Sequence, residues 1–388
     1  MNQLNIHKRI REFLTQDSSV VGFKFDIEKV KSELFVNLDA KVYFWSMADE
    51  KWLDQLFDSG LISNEILDLA APDEYNNPVY NIPVMGYIQR MANTDSLKVA
   101  KIIQKIIPEV HKNNPIFFYP CMWMMREMNA ESLKVMIDKM YDENWIEKMS
   151  GTHRSGYEFT DVIKTLQNAN DDESMFKLAK LLLAVHTVES LQGKEYIRRD
   201  DFFIVKDLSK SDIFTTITNL KNNRAEVFEA LINTLLGISK LKGESKPTDS
   251  YFKKDDPFYL MDIDLYTSTT ESIKSYYSDA EISYLVLTIV QIGAEIVKSG
   301  TNEDKKKIAK ILQEIKSTAP IFWKISIVIL SQDPKANKDL IQDYLLNIFE
   351  NGENYYDFLS GAEYESTLQR TFEFLDEEDL ESFLPESK

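Results

Sequence analysis

Four carboxylates crowd one short stretch of this sequence: Asp255 and Asp256, then Asp262 and Asp264 on either side of Ile263. Hard cations take several oxygen ligands at once, so Asp262 and Asp264 could present two carboxylates to one divalent ion. On that reading the chain is a metal-dependent enzyme with an acidic site near 255–264. Two observations weigh against it. The whole chain is acidic, with 63 Asp and Glu against 45 Lys and Arg and a net charge of −18, so acidic loops are expected anywhere in it. Asp264 also precedes a helical pattern, where aspartate serves as turn and capping material. A nuclease-like site would further need its acidic pair on a sheet, and no sheet pattern is present.

The other reactive side chains are few or scattered. Cys121 is the single cysteine, which excludes an intramolecular disulfide and a thiolate metal cluster. Flanked by Pro120, Met122 and Trp123, it reads as a small buried hydrophobe, and cysteine usage of this kind predicts a cytoplasmic location. His7, His111, His153 and His186 lie far apart and read as helix-surface or interfacial residues. There is no Gly-rich phosphate loop, His-Glu-x-x-His or paired-Cys motif, and no Gly-x-Ser-x-Gly elbow. The expectation is therefore no catalytic, metal-binding or cofactor-binding residue and no cofactor.

Charge bounds the partners. An acidic surface repels phosphate backbones and anionic lipid, so neither nucleic acid nor membrane is expected as a partner. Lys305, Lys306 and Lys307 form the densest basic cluster, but three lysines in one helical turn point in different directions and read as a solvated helix start. The most apolar run, Ser283 to Val297, contains Gln291 and Glu295 and falls short of the roughly 20 apolar residues a span requires. It reads as a buried helix.

The elements that must position any site are helical. At 388 residues the chain exceeds one ordinary core. With 12 Gly and 11 Pro it has little material for tight hairpin turns. Helical patterns run over 4–15, 27–37, 49–59, 85–92, 160–168, 174–189, 212–222, 224–240, 279–298, 303–316, 338–350 and 364–375, with Gly60 and Gly300 placed as C-terminal caps. Segments 71–83, 193–212 and 240–267 break the rhythm. Asp201-Phe-Phe-Ile-Val is the one segment that could pair briefly as a strand.

Two echoes suggest repetition. Asn93-Thr-Asp-Ser-Leu-Lys-Val returns at Asn129 as NAESLKV, and a third start follows at Asn170. The asparagines suit helix N-caps, and the starts are spaced like helical-hairpin repeats. The apolar stripes that follow differ by two positions, about 200° around a helix, so the first echo marks similar helix starts and not one duplicated unit. The second is stronger. VAKIIQKI from Val99 resembles IAKILQEI from Ile308, and each precedes a proline-led apolar segment, at Pro115 and Pro320. An amphipathic helix followed by one apolar nearly all round must be sandwiched between neighbours. The aromatic and Met run Met122, Trp123, Met124, Met125 and Met128 reads as core, with a binding surface as the sharper alternative.

Residues Tyr43 to Ile62 carry an aromatic-rich helix and then a Trp-Leu…Leu…Gly helix, and a proline loop leads to Tyr87-Ile-Gln-Arg-Met-Ala92. This arrangement, over 43–92, resembles helical-repeat (HEAT-like) regions of large bacterial multidomain proteins of the phage-defence type. No tryptophan precedes Tyr87, a departure from that pattern. The resemblance implies a helical scaffold and transfers no catalytic residue.

The expectation is an all-α chain, an α-solenoid of stacked antiparallel helical hairpins of HEAT or armadillo type. Its segments are 1–242 and 267–388, joined by a linker-like connection over 243–266. The matching function is a non-catalytic scaffold or recognition module for protein–protein interaction. Its partner would be another protein or further domains of the same system. A sensor region of an anti-phage system with its effector elsewhere is the alternative.

Overall fold

In a computed structural model of the chain, residues 3–16, 26–70, 83–110, 118–148, 155–191, 202–244, 265–266, 268, 280–315, 320–350 and 362–375 are described. Among these the fold is all-α. No strand occurs, and of the segment expected to pair as a strand Phe203 forms an isolated antiparallel bridge with Val185. Contacts divide the chain into two compact units, Met1–Leu181 and Leu182–Lys388. Of the linker-like stretch, Gly243 and Glu244 end a helix, Leu265 and Tyr266 are described, and residues 245–264 lie outside the described residues.

The first unit carries α1 (Gln3–Leu14), α2 (Ile27–Glu33), α3 (Leu38–Met47), α4 (Leu53–Asp58), α5 (Leu61–Ala70) and α6 (Pro83–Ala92). It continues with α7 (Ser96–Val110), α8 (Phe118–Met125), α9 (Ala130–Glu143), α10 (Trp145–Lys148), α11 (Thr160–Ala169) and α12 (Asp172–Leu182). Some helices pack on their successors, as α6 does on α7, and several on the next but one: α5 on α7, α6 on α8, α7 on α9 and α9 on α11. Lys177 of α12 reaches Asp138 of α9 at 2.7 Å.

The second unit carries α13 (Val188–Leu191), α14 (Ile213–Thr218), α15 (Arg224–Glu244), α16 (Ala280–Ser299), α17 (Asn302–Ile315), α18 (Pro320–Leu330), α19 (Lys338–Glu350) and α20 (Ala362–Thr371). Here α14, α16, α18 and α20 pack in succession, and α15 packs on α17. The Tyr344 hydroxyl of α19 donates to the Leu312 carbonyl of α17 at 2.6 Å. Pro320 opens α18, where a missing N–H costs nothing. The apolar run at 283–297 is the body of α16, whose Leu285, Val286, Ile289 and Ile292 are buried among α14, α15, α17 and α18. By length and composition alone residues 281–299 could cross a membrane, but a core helix passes the same test.

In two of the three echoed helix starts the cap is an aspartate one or two residues past the asparagine. Asn129 does cap α9, accepting from the Ser132 N–H at 3.0 Å. At the first start Asp95 is the cap, accepting from the Lys98 N–H at 3.1 Å, while the Asn93 N–H closes the previous helix onto Arg90. At the third, Asn170 takes a left-handed φ of 54° and ends α11, leaving Asp171 to accept from the Ser174 N–H at 3.0 Å. Asparagine tolerates the left-handed region, so it closes one helix while aspartate opens the next. The α7 and α9 starts also touch. The hydroxyls of Ser96 and Ser132, both buried, hydrogen-bond to each other, and the Gln104 amide donates to the Val135 carbonyl at 2.6 Å.

Two glycines inside helices give opposite expectations for one chemical change. A methyl on Gly293 of α16 would stand 2.5 Å from Ile329 Cδ1 and 2.8 Å from Phe228 Cε2, whereas one on Gly86 of α6 meets nothing within 4 Å. Gly293→Ala is expected to destabilise by about 1–3 kcal/mol through overpacking. Gly86→Ala is expected to stabilise by about 0.5–1 kcal/mol through lost chain freedom in the unfolded state. Urea unfolding of the two variants checks the pair.

Burial raises the pKa of the Tyr87 and Tyr344 phenols above the ordinary value, and nearby Asp49 adds to the effect on Tyr87. Each hydroxyl donates to a carbonyl, Tyr87 to that of Asp49 at 3.0 Å, so ionisation would forfeit the bond. A folded pKa above the unfolded one means that the stabilisation is complete below about pH 10 and lost as pH rises beyond it. In a spectrophotometric alkaline titration these phenols are expected to ionise together with the loss of helical signal, later than the exposed tyrosines.

Candidate functional site

Asp255, Asp256, Asp262, Asp264, His111 and His153 lie outside the described residues. Among the described residues no group of three His, Cys, Asp or Glu side chains stands close enough together to hold a metal ion. Cys121 is fully buried in α8, and burial pushes its thiol pKa far above the ordinary range, which suppresses the nucleophilic thiolate. His7 stacks on Tyr43 with ring centroids 3.9 Å apart, and Arg11 hydrogen-bonds the Tyr43 hydroxyl. His186 sits at the isolated bridge, its N–H donating to the Phe202 carbonyl and its Nδ1 3.3 Å from the Ser190 hydroxyl. The three lysines diverge as expected: Lys305 pairs with Asp333 at 3.3 Å, Lys307 with Glu229 at 2.8 Å, and Lys306 is exposed.

The Met and aromatic run divides in two. Met122, Met124, Met125 and Met128 are buried together with Cys121, but Trp123 is 44% exposed. Three residues further on, just past the end of α8, lies Arg126, whose backbone N–H donates to the Trp123 carbonyl at 3.3 Å. The Arg126 guanidinium holds Asp161 at 2.8 Å and lies 3.9 Å from Glu158. Its pKa is raised, first by the Asp161 hydrogen bond, with smaller contributions from Glu158 and the neighbouring Tyr157. Tyr157, in the 3-10 turn Gly156–Phe159 that packs on α8, is 60% exposed. Half-exposed ion pairs contribute little to stability, so the value of this arrangement is orientation: the pair with Asp161 fixes the Arg126 guanidinium near the turn that carries Glu158 and Tyr157.

Trp, Tyr and Arg are the side chains most enriched where binding energy concentrates in interfaces. The sequence signalled Trp123 only as a member of an apolar run, and gave no signal for Arg126 or Tyr157, since their proximity depends on α8 meeting a turn thirty residues on. A second exposed apolar set, Leu4, Val36, Leu38, Val42 and Met47, belongs to α1, α3 and the adjoining turn. No known protein family, curated protein or solved structure matches the chain.

Proposed function

We propose that the chain is a non-catalytic helical-repeat scaffold or recognition module, built of stacked hairpins in two segments and binding another protein. The observation that carries this reading is the exposure of Trp123, Arg126 and Tyr157, with Met122, Met124 and Met125 buried on the helix that carries Trp123. Packing of several helices on the next but one supports the stacked-hairpin part, because that pattern is how repeat arrays cover apolar helices. Chemistry at Cys121 is disfavoured by its burial.

The reading is tested by affinity capture and crosslinking from the native source with the wild-type chain and with Trp123→Ala and Tyr157→Ala. Each truncation is expected to cost at least about 2 kcal/mol of binding, roughly a thirtyfold loss, while leaving thermal stability nearly unchanged. Partners retained by both variants at wild-type affinity, or turnover of a substrate by the purified chain, would overturn it.

A further inference from the structure

The seam between α18 and α20 is unusually polar for a helix packing surface. Ser331, Glu363, Thr367 and Thr371 are all buried there. Into it fits a dipeptide from far upstream. The Leu265 N–H donates to Glu363 Oε1 at 3.2 Å, and Leu265 itself is buried. The Tyr266 hydroxyl lies 2.8 Å from that of Ser331 and hydrogen-bonds Thr367. The Arg370 guanidinium sits over the Tyr266 ring, 4.5 Å from its centroid. The dipeptide is thus read as a ligand would be: a carboxylate on the backbone, two hydroxyls on the phenol and a cation on the aromatic face.

The two hydroxyls and the carboxylate each keep a partner of their own without the dipeptide, and Arg370 is exposed to solvent. The Ser331 hydroxyl donates to the Val328 carbonyl at 2.9 Å, the Thr367 hydroxyl to the Glu363 carbonyl at 2.7 Å, and Glu363 pairs with Lys324 at 3.4 Å. Vacating the seam therefore strands no charge and no hydroxyl, which is the usual cost of opening a buried polar contact. A seam meant to stay closed would be more stable with apolar residues of the same volume.

We propose that the α18/α20 seam is an exchangeable peptide-recognition site for an apolar–tyrosine pair, occupied in cis by Leu265–Tyr266 and available to a partner segment of the same chemistry. This deepens the recognition reading above by naming what one surface recognises. It stands on different residues from Trp123, so either can fail alone.

The probe is a fluorescent peptide of sequence Asp-Ile-Asp-Leu-Tyr-Thr-Ser, copied from 262–268, titrated into the full-length chain by anisotropy. A Leu265→Gly/Tyr266→Gly variant, checked for retained helicity, is expected to bind it. The wild-type chain is expected to bind about tenfold or more weakly, because the cis pair competes at high effective concentration. Adding Thr367→Val, or replacing the peptide tyrosine by phenylalanine, is expected to weaken binding several-fold. No binding by the folded variant, equal binding by both chains, or indifference to Thr367→Val would overturn the proposal. Should the variant fail to fold, hydrogen exchange of the wild-type Leu265 amide decides. Exchange at a lower free energy than the α18 interior supports the proposal, and exchange only with global unfolding overturns it.

Discussion

Replacing Trp52 by alanine lowers the stability of the Met1–Leu181 unit by about 3–5 kcal/mol, a large part of what holds such a unit together. The side chain is completely buried, beside the equally buried Leu53 and Leu56, and its ring stacks on Phe13 with centroids 5.2 Å apart. It also supplies a donor. The indole N–H reaches the Leu14 carbonyl at 3.2 Å, one of the acceptors left open at the end of α1. The alanine variant thus combines a cavity with an unsatisfied carbonyl. Trp52→Phe keeps most of the ring and loses only the bond, so it is expected to cost less, about 1–3 kcal/mol. Guanidinium unfolding followed by circular dichroism separates the two; equal midpoints for wild type and Trp52→Ala would refute the assignment of Trp52 to the core.

Glu363→Ala is the second large loss, about 3 kcal/mol. Its carboxylate is almost fully buried between the Lys324 ammonium at 3.4 Å and the Leu265 N–H at 3.2 Å. Removal strands both. Lys324 keeps a quarter of its side chain exposed and can partly rehydrate, which holds the cost to the lower end for a broken buried pair. A double variant, Glu363→Leu with Lys324→Met, removes both charges and is expected to recover most of the loss. The double-mutant cycle reads this directly. A double variant no more stable than Glu363→Ala would show that the ion pair is not the source of the effect.

Much of this architecture was legible along the chain because it is local. Gly60, with φ of 79°, closes a helix where the pattern placed a cap, and Pro320 opens one. The expected helix over 160–168 is found as Thr160–Ala169. Legibility failed where distant backbone intervened. The apolar pattern carries on through 174–189, yet α12 stops at Leu182 because the Ala184 carbonyl and the His186 N–H bond to Ile204 and Phe202 instead. The 49–59 pattern breaks into a 3-10 turn and α4, and α3, short and apolar on several sides, has no clean period. The Trp123 group and the seat of Tyr266 were invisible for the same reason: each joins side chains whose separation in sequence carries no periodic signal.

The hydroxyl pair joining the starts of α7 and α9 has a mechanical consequence. Apolar seams between helices creep, exchanging one set of contacts for another with little penalty per step. Ser96, Ser132 and the Gln104–Val135 link have one register only, because a one-residue slide turns a helix by about 100° and carries all of them out of reach. Pulled along its length, this part of the chain should hold rigid and then give way abruptly at that junction, more like a brittle joint than a spring.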